Sequence, residues 1–183
     1  MSTQSFVRQE ATTVGDNALG IDPKVAEQSI DALNTDLAAA SMVYHQLQKH
    51  HWTVEGAEAG QLHDWFGDAA AEMEDTVDAI GERVVALGGV PISDPAAIAA
   101  HAPVEFEGAD VFDARTTLNN DRAQYTELIT LAREHVALVE SLEDFGSGEL
   151  LRGHLEDLEG RADDLKSYLA NDTLVHEHAL RRE

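Results

Sequence analysis

The chain has 183 residues, no cysteine, and 35 acidic against 12 basic residues, for a net charge of −23. That length fits one domain with a core large enough to stand unaided, and without cysteine there are no disulfides, thiolate metal sites or thiol nucleophiles. The charge argues against a nucleic-acid partner, because phosphate binding needs clustered Lys and Arg.

Acidity does not signal disorder here. Hydrophobic residues make up 43% of the chain and recur with long helical periods, whereas a disordered acidic chain is poor in them. The acid therefore coats a folded surface, which repels itself unless salt screens it, at a Debye length of about 3 Å in 1 M salt. A salt-rich cytoplasm is the predicted setting. There is no basic-then-apolar leader, and no apolar run approaches the roughly 20 residues that span a bilayer. The expectation is a cytoplasmic protein with no membrane partner.

In chain order, residues 1–21 are polar, weakly periodic and expected to form a mobile arm. Asp22-Pro23 pairs an N-cap acceptor with a proline suited to the first helical position. Ile30, Leu33, Leu37, Ala40, Tyr44 and Leu47 then mark a first long helix to about Val54. Gly56 and Gly60 break it. A second helix runs from about Gln61 through Leu62, Phe66, Met73, Val77, Ile80 and Val84, and Gly88-Gly89 with Pro91 stops it. Over residues 90–110 the period is lost, although Asp94-Pro95 can cap one short helix. A third long helix is predicted from about Asp113 to Phe145, ended by Gly146 and Gly148. A fourth carries Leu151, Leu155, Leu158 and Leu165 to about Asn171. Residues 172–183 form a tail containing His176 and His178, where adventitious metal binding or plain disorder are both open. The bundle thus occupies residues 22–171. Four long helices with one long crossover describe an all-α, ferritin-like four-helix bundle.

Chemistry concentrates between His51 and Pro91, where His51 and His63 precede an i, i+4 carboxylate pair, Asp78 and Glu82. Imidazole plus carboxylate suits borderline metals such as iron, manganese or zinc. None of the nine histidines has a Glu three positions before it, so the Glu-x-x-His motif of within-bundle di-iron sites is absent. His63 and Asp78 are fifteen residues apart, about 22 Å along a helix, too far for one metal. His51 and His63 flank a short connection and can approach each other. The residues thus offer two half-sites, and a second subunit packed antiparallel would join them twice over by two-fold symmetry. Either there is no metal site here, or it is shared between subunits.

The pattern H-W-x-x-x-G-x-x-x-x-x-L-H over 51–63, followed by D-x-x-x-E-R-x-x-x-L-G-G-x-P over 78–91, resembles the signature of the Dps-type mini-ferritins. That resemblance implies a hollow shell of 12 subunits with iron as substrate. It also implies a ferroxidase centre at the two-fold interface, with ligands His51 and His63 from one subunit and Asp78 and Glu82 from its neighbour. Hydrogen peroxide is the implied oxidant. Trp52 would sit beside the centre, positioned to intercept stray oxidising equivalents. Asp68, Glu72 and Asp75, within about 60° of one another on the second helix, are either plain acidic surface or a stripe nucleating ferric mineral. Glu149 aligns with an acidic residue of the family's three-fold pore.

Two features depart from the family. Its members often carry a further carboxylate four residues after the second histidine, where this chain has Gly67 with Asp68 beside it. Its DNA-binding members have a Lys- and Arg-rich tail, where this arm has only Arg8 before Lys24. The expected function is iron storage and detoxification. The alternatives are a DNA-compacting stress protein, a di-manganese or peroxidase-type enzyme without storage, and a structural shell with a vestigial site.

Overall fold

The structure, a computed structural model, describes residues 6–170. It contains five helices: α1 Pro23–Thr53, α2 Ala59–Ala86, α3 Pro95–His101, α4 Ala114–Ser141 and α5 Phe145–Leu169. The four long ones form the bundle, and α3 sits in the crossover between its halves. No strand occurs among the described residues. No described helix is long and apolar enough to cross a membrane.

Aspartates set most of the starts. Asp22, Asp94, Asp113 and Asp144 each accept a hydrogen bond from a backbone N–H of the following first turn, which satisfies a donor the helix leaves orphaned. α2 is the exception. It has no side-chain cap and begins just after Gly56, whose φ of 112° turns the chain back on α1.

The stripes predicted from period fill the core. Leu47, Leu62, Phe66, Met73, Tyr125, Leu128 and Leu158 pack in one cluster, and Leu33, Leu37, Ile80, Val84, Leu87, Val139 and Leu151 in a second. Each such apolar side chain contributes about 1.5–3 kcal/mol on burial.

One predicted boundary is corrected. The third long helix ends at Ser141, not Phe145, and the chain turns at Glu143, whose φ is 63°. Gly146 and Gly148 break nothing: they lie in the first turn of α5. They are small because neighbours press on them. A Cβ at Gly146 would stand 2.8 Å from Arg83 Nη2, and one at Gly148 would stand 3.1 Å from Glu140 Cγ.

Part of the N-terminal arm lies against the end of α2. Gln9 Nε2 and Gly15 N both donate to the Gly88 carbonyl at 2.8 Å, and Val14 and Ile21 pack on the second cluster. Gly88 allows this approach, since a Cβ there would meet Gly15 O at 2.4 Å. His176 and His178 lie outside the described residues.

The long crossover is stitched to the bundle by a buried polar group. Lys49 Nζ reaches Glu107 and the carbonyls of Gly108 and Asp110. Gln46 accepts from the Glu107 N–H and donates to Asp121, and Asn120 donates to Glu107 at 2.8 Å. These bonds satisfy backbone that has no helix or sheet to join.

Candidate metal centre

The turn through Gly56 lays the last turn of α1 beside the first turns of α2. There the His51 and His63 rings stack with centroids 3.8 Å apart and an interplanar angle of 24°. Each Nδ1 lies 2.8 Å from the other residue's backbone carbonyl. A carbonyl only accepts, so each Nδ1 carries the proton, and each neutral ring leaves its Nε2 lone pair bare. A hydrogen bond on one ring nitrogen that frees and orients the other is the usual arrangement of a metal-ligating histidine. His63 is exposed and His51 half-buried, so the pair lies at the surface. Trp52, the residue after His51, has 73% of its surface exposed.

Gly67 lies under this pair. A Cβ there would come within 3.0 Å of both Cε1 and Nδ1 of His51. The imidazole occupies the space that a carboxylate side chain at that position would need.

Asp78 and Glu82 are both exposed on one face of α2. They border a groove of about 610 Å³ whose apolar lining includes Val77, Val85, Pro91 and Ile92, with Val85 58% exposed. Arg83, next to Glu82, turns instead to α5, donating to Ser147 Oγ at 2.9 Å and Asp144 Oδ1 at 2.5 Å.

The unbroken α2 keeps His63 and Asp78 about 22 Å apart. The structure thus brings the histidines together and puts the two carboxylates on one face, and it holds the two pairs apart. Among the described residues, no three His, Asp or Glu side chains converge on a metal position within one chain.

The remaining acidic candidates divide. Asp68 and Asp75 are exposed. Glu72 is engaged by Arg161, whose Nε and Nη2 approach its Oε2 at 3.0 and 2.7 Å. Glu149, in the first turn of α5, is exposed and paired with Arg152 at 2.8 Å.

Sequence reasoning missed the buried charge beside this site. His50, 2% exposed, has Nδ1 2.9 Å from Asp121 Oδ2 and Nε2 2.6 Å from Glu107 Oε1. Burial works to lower its pKa, but the bonds to Asp121 and Glu107 outweigh it and the net direction is up. Both nitrogens face carboxylate oxygens, which favours the doubly protonated ring, while burial pushes Asp121 above the usual carboxylate range. The burial of His50 had a signal, because His50 continues the stripe of Val43, Gln46 and Leu47; its partners, 57 and 71 residues away, had none.

Comparison with known proteins agrees with this architecture. The profile of the ferritin-like domain matches residues 30–175. A Halobacterium salinarum protein named DNA protection during starvation protein is 48% identical over 181 residues, covering 98% of this chain and all of the relative. The crystal structure of an archaeal Dps homologue from Halobacterium salinarum superposes with a TM-score of 0.92 at 47% identity, covering 97% of this chain and 99% of that one. A protein from Bacteroides fragilis described as a dodecameric thioferritin superposes with a TM-score of 0.75 at 26% identity, covering 81% and 86%. The chain belongs to the ferritin-like family, as one of its Dps-type members.

Proposed function

We propose that the protein detoxifies and stores iron as a cytoplasmic homo-oligomer of 12 subunits, oxidising Fe²⁺ at a centre built from the two half-sites of neighbouring chains. The single observation that carries this reading is the reciprocal Nδ1–carbonyl bonding of His51 and His63. It leaves the Nε2 atoms of two stacked rings bare, with no hydrogen-bond partner among the described residues. The fit with Asp78 and Glu82 supplies the rest, since carboxylate oxygens are hard donors that favour Fe³⁺ over Fe²⁺ and so promote oxidation. The exposed Trp52 at one half-site and the exposed groove at the other are apolar surfaces that a second copy would cover. The name of the Bacteroides fragilis neighbour supports a shell of twelve.

Hydrogen peroxide is the proposed oxidant. Two Fe²⁺ give one electron each to one peroxide, which takes up two protons, its O–O bond breaking to leave two waters and two Fe³⁺. No hydroxyl radical leaves this balance. Trp52, the residue after His51, would intercept an electron hole that strays. Ferric product then passes to Asp68 and Asp75 on α2 and mineralises, with Glu149 lining the route by which iron enters.

The Halobacterium relative's name points to DNA. At −23 this chain would bind a polyanion only against its own repulsion, so protection would come through iron chemistry. A salt-resistant mobility shift with duplex DNA would favour the DNA-compacting alternative.

The test is complementation. His63→Ala and Glu82→Ala assemblies should each lose iron oxidation by peroxide. Dissociated and reassembled together at equal amounts, they should recover about a quarter of wild-type activity. Half of the two-fold interfaces would then be mixed, each with one of its two centres intact. No recovery on mixing would overturn the shared site. Loading with Fe²⁺ separates storage from a two-metal enzyme, since storage takes up far more than two irons per subunit.

A further inference from the structure

α2 has a second working face. At about 100° per residue, Asp78, Glu82 and Val85 point to one side of the helix. Asp75 lies about 20° from Glu82 around the axis, and Ala79, Glu72 and Thr76 turn progressively further round, toward α5. There the two helices border a pocket of about 310 Å³ whose lining includes Asp75 on α2 and His154 and Asp157 on α5.

His154 is the member without an explanation. It is only 7% exposed, and buried polar groups are normally hydrogen-bonded. Its pKa is lowered to about 4 with burial as the sole cause, no hydrogen bond or charge acting on it. His154 lines the pocket, and its ring nitrogens are absent from the sealed, partnerless polar atoms of the core. At neutral pH the imidazole is uncharged, with a lone pair available. His50, the other buried histidine among the described residues, is held by two carboxylates; His154 has no hydrogen-bond partner among the described residues.

We propose that this pocket is a divalent-cation site complete within one subunit, with His154 as its fixed ligand and Asp157 and Asp75 as its carboxylates. Asp157 follows His154 by three residues and so rises from the same face of α5, and Asp75 faces them from α2. Both aspartates are exposed and rotate onto the ion, with water completing the shell; that rotation is required because no three such side chains are already drawn together. Glu72 stays with Arg161 and is not a ligand. One imidazole with carboxylates selects a borderline ion such as Fe²⁺, Co²⁺ or Zn²⁺ over Ca²⁺ or Mg²⁺. The site needs no second copy, so it stands or falls independently of the shared centre.

Equilibrium dialysis with Co²⁺ alone tests it, on the full-length assembly carrying H51A, H63A, H176Q and H178Q to remove the other histidine pairs. We expect one Co²⁺ per chain, lost with His154→Gln added and weakened about tenfold or more with Asp157→Asn added. Asp157 is exposed, so its variant decides the matter if His154→Gln fails to fold. No Co²⁺ in the background protein, or undiminished binding in either variant, overturns the proposal.

Discussion

His50 and His51 are adjacent on the last turn of α1, and the fold gives them opposite chemistry. His50 enters the bundle, where Asp121 and Glu107 take both of its nitrogens. His51 turns to the surface, gives one nitrogen to a carbonyl and leaves the other bare. Burial alone does not separate a structural imidazole from a metal-binding one. The partner of the second nitrogen does: two carboxylates favour the charged form of His50, and one carbonyl makes His51 a ligand in waiting.

The sharpest way to break this comparison is to delete each ring. His51→Ala should lower iron oxidation by at least about tenfold while changing stability by about 1 kcal/mol or less. His50→Ala should do the reverse. It leaves the buried Asp121 with Gln46 alone and no cation, although Glu107 keeps Lys49 and Asn120, and breaking such a buried pair costs about 3–5 kcal/mol, while oxidation per folded subunit stays near wild type. Urea midpoints and peroxide-driven oxidation, measured on the same preparations, give both readings. A stability loss in His51→Ala and an activity loss in His50→Ala would reverse the assignment.

Titration sharpens it further. The His50 pKa is raised in the folded protein, so its contribution is fully present below the unfolded value near 6.5 and is lost as pH rises through the folded value. His154 runs the other way. Its folded pKa is about 4 against 6.5 for the free group, so the unfolded chain binds the proton first, and stability falls by on the order of 3 kcal/mol as pH drops from 6.5 to 4. Denaturation midpoints against pH should lose their acid slope in His154→Gln and their alkaline slope in His50→Gln. Parallel curves for the two variants would refute these assignments.

Salt separates buried charge from surface charge. Screening relieves repulsion among exposed acids such as Asp68, Asp75 and Glu82 but barely reaches the His50 cluster. The melting temperature should therefore rise with salt, and by the same increment in wild type and in His50→Gln. A melting temperature equal in dilute buffer and molar salt would remove the case for a salt-adapted surface.

Much of the fold was legible because it is local. Apolar period marked the long helices, and Asp-Pro steps marked two starts. The end of α4 was misread because glycine was taken as a breaker. At Gly146 and Gly148 it answers a contact with Arg83 and Glu140 from other turns and helices, which no local pattern reveals. The histidine pair was legible because a short turn joins its members, and the carboxylates because they are one helical turn apart. The Asp121 and Glu107 bonds to His50 and the isolation of His154 depend on packing between distant segments. They stayed hidden for that reason.

The smallest expected effect on stability falls at Gly67. Read as a missing ligand, it is a defect of the centre; in the structure it is the seat of the His51 ring. A Cβ at 67 comes within 3.0 Å of that ring, so the imidazole would have to give way by a few tenths of an ångström. The half-buried ring can do so cheaply, and alanine in mid-helix gains up to about 1 kcal/mol over glycine. Gly67→Ala should therefore shift stability by less than about 1 kcal/mol in either direction. The same displacement strains the 2.8 Å bond from His51 Nδ1 to the His63 carbonyl, and with it the placement of the bare Nε2. Iron oxidation should fall several-fold with the fold intact. If Gly67→Ala oxidises iron at the wild-type rate, the seat of the ring is not what sets the activity of His51. The contrast with His50 would then rest on exposure alone.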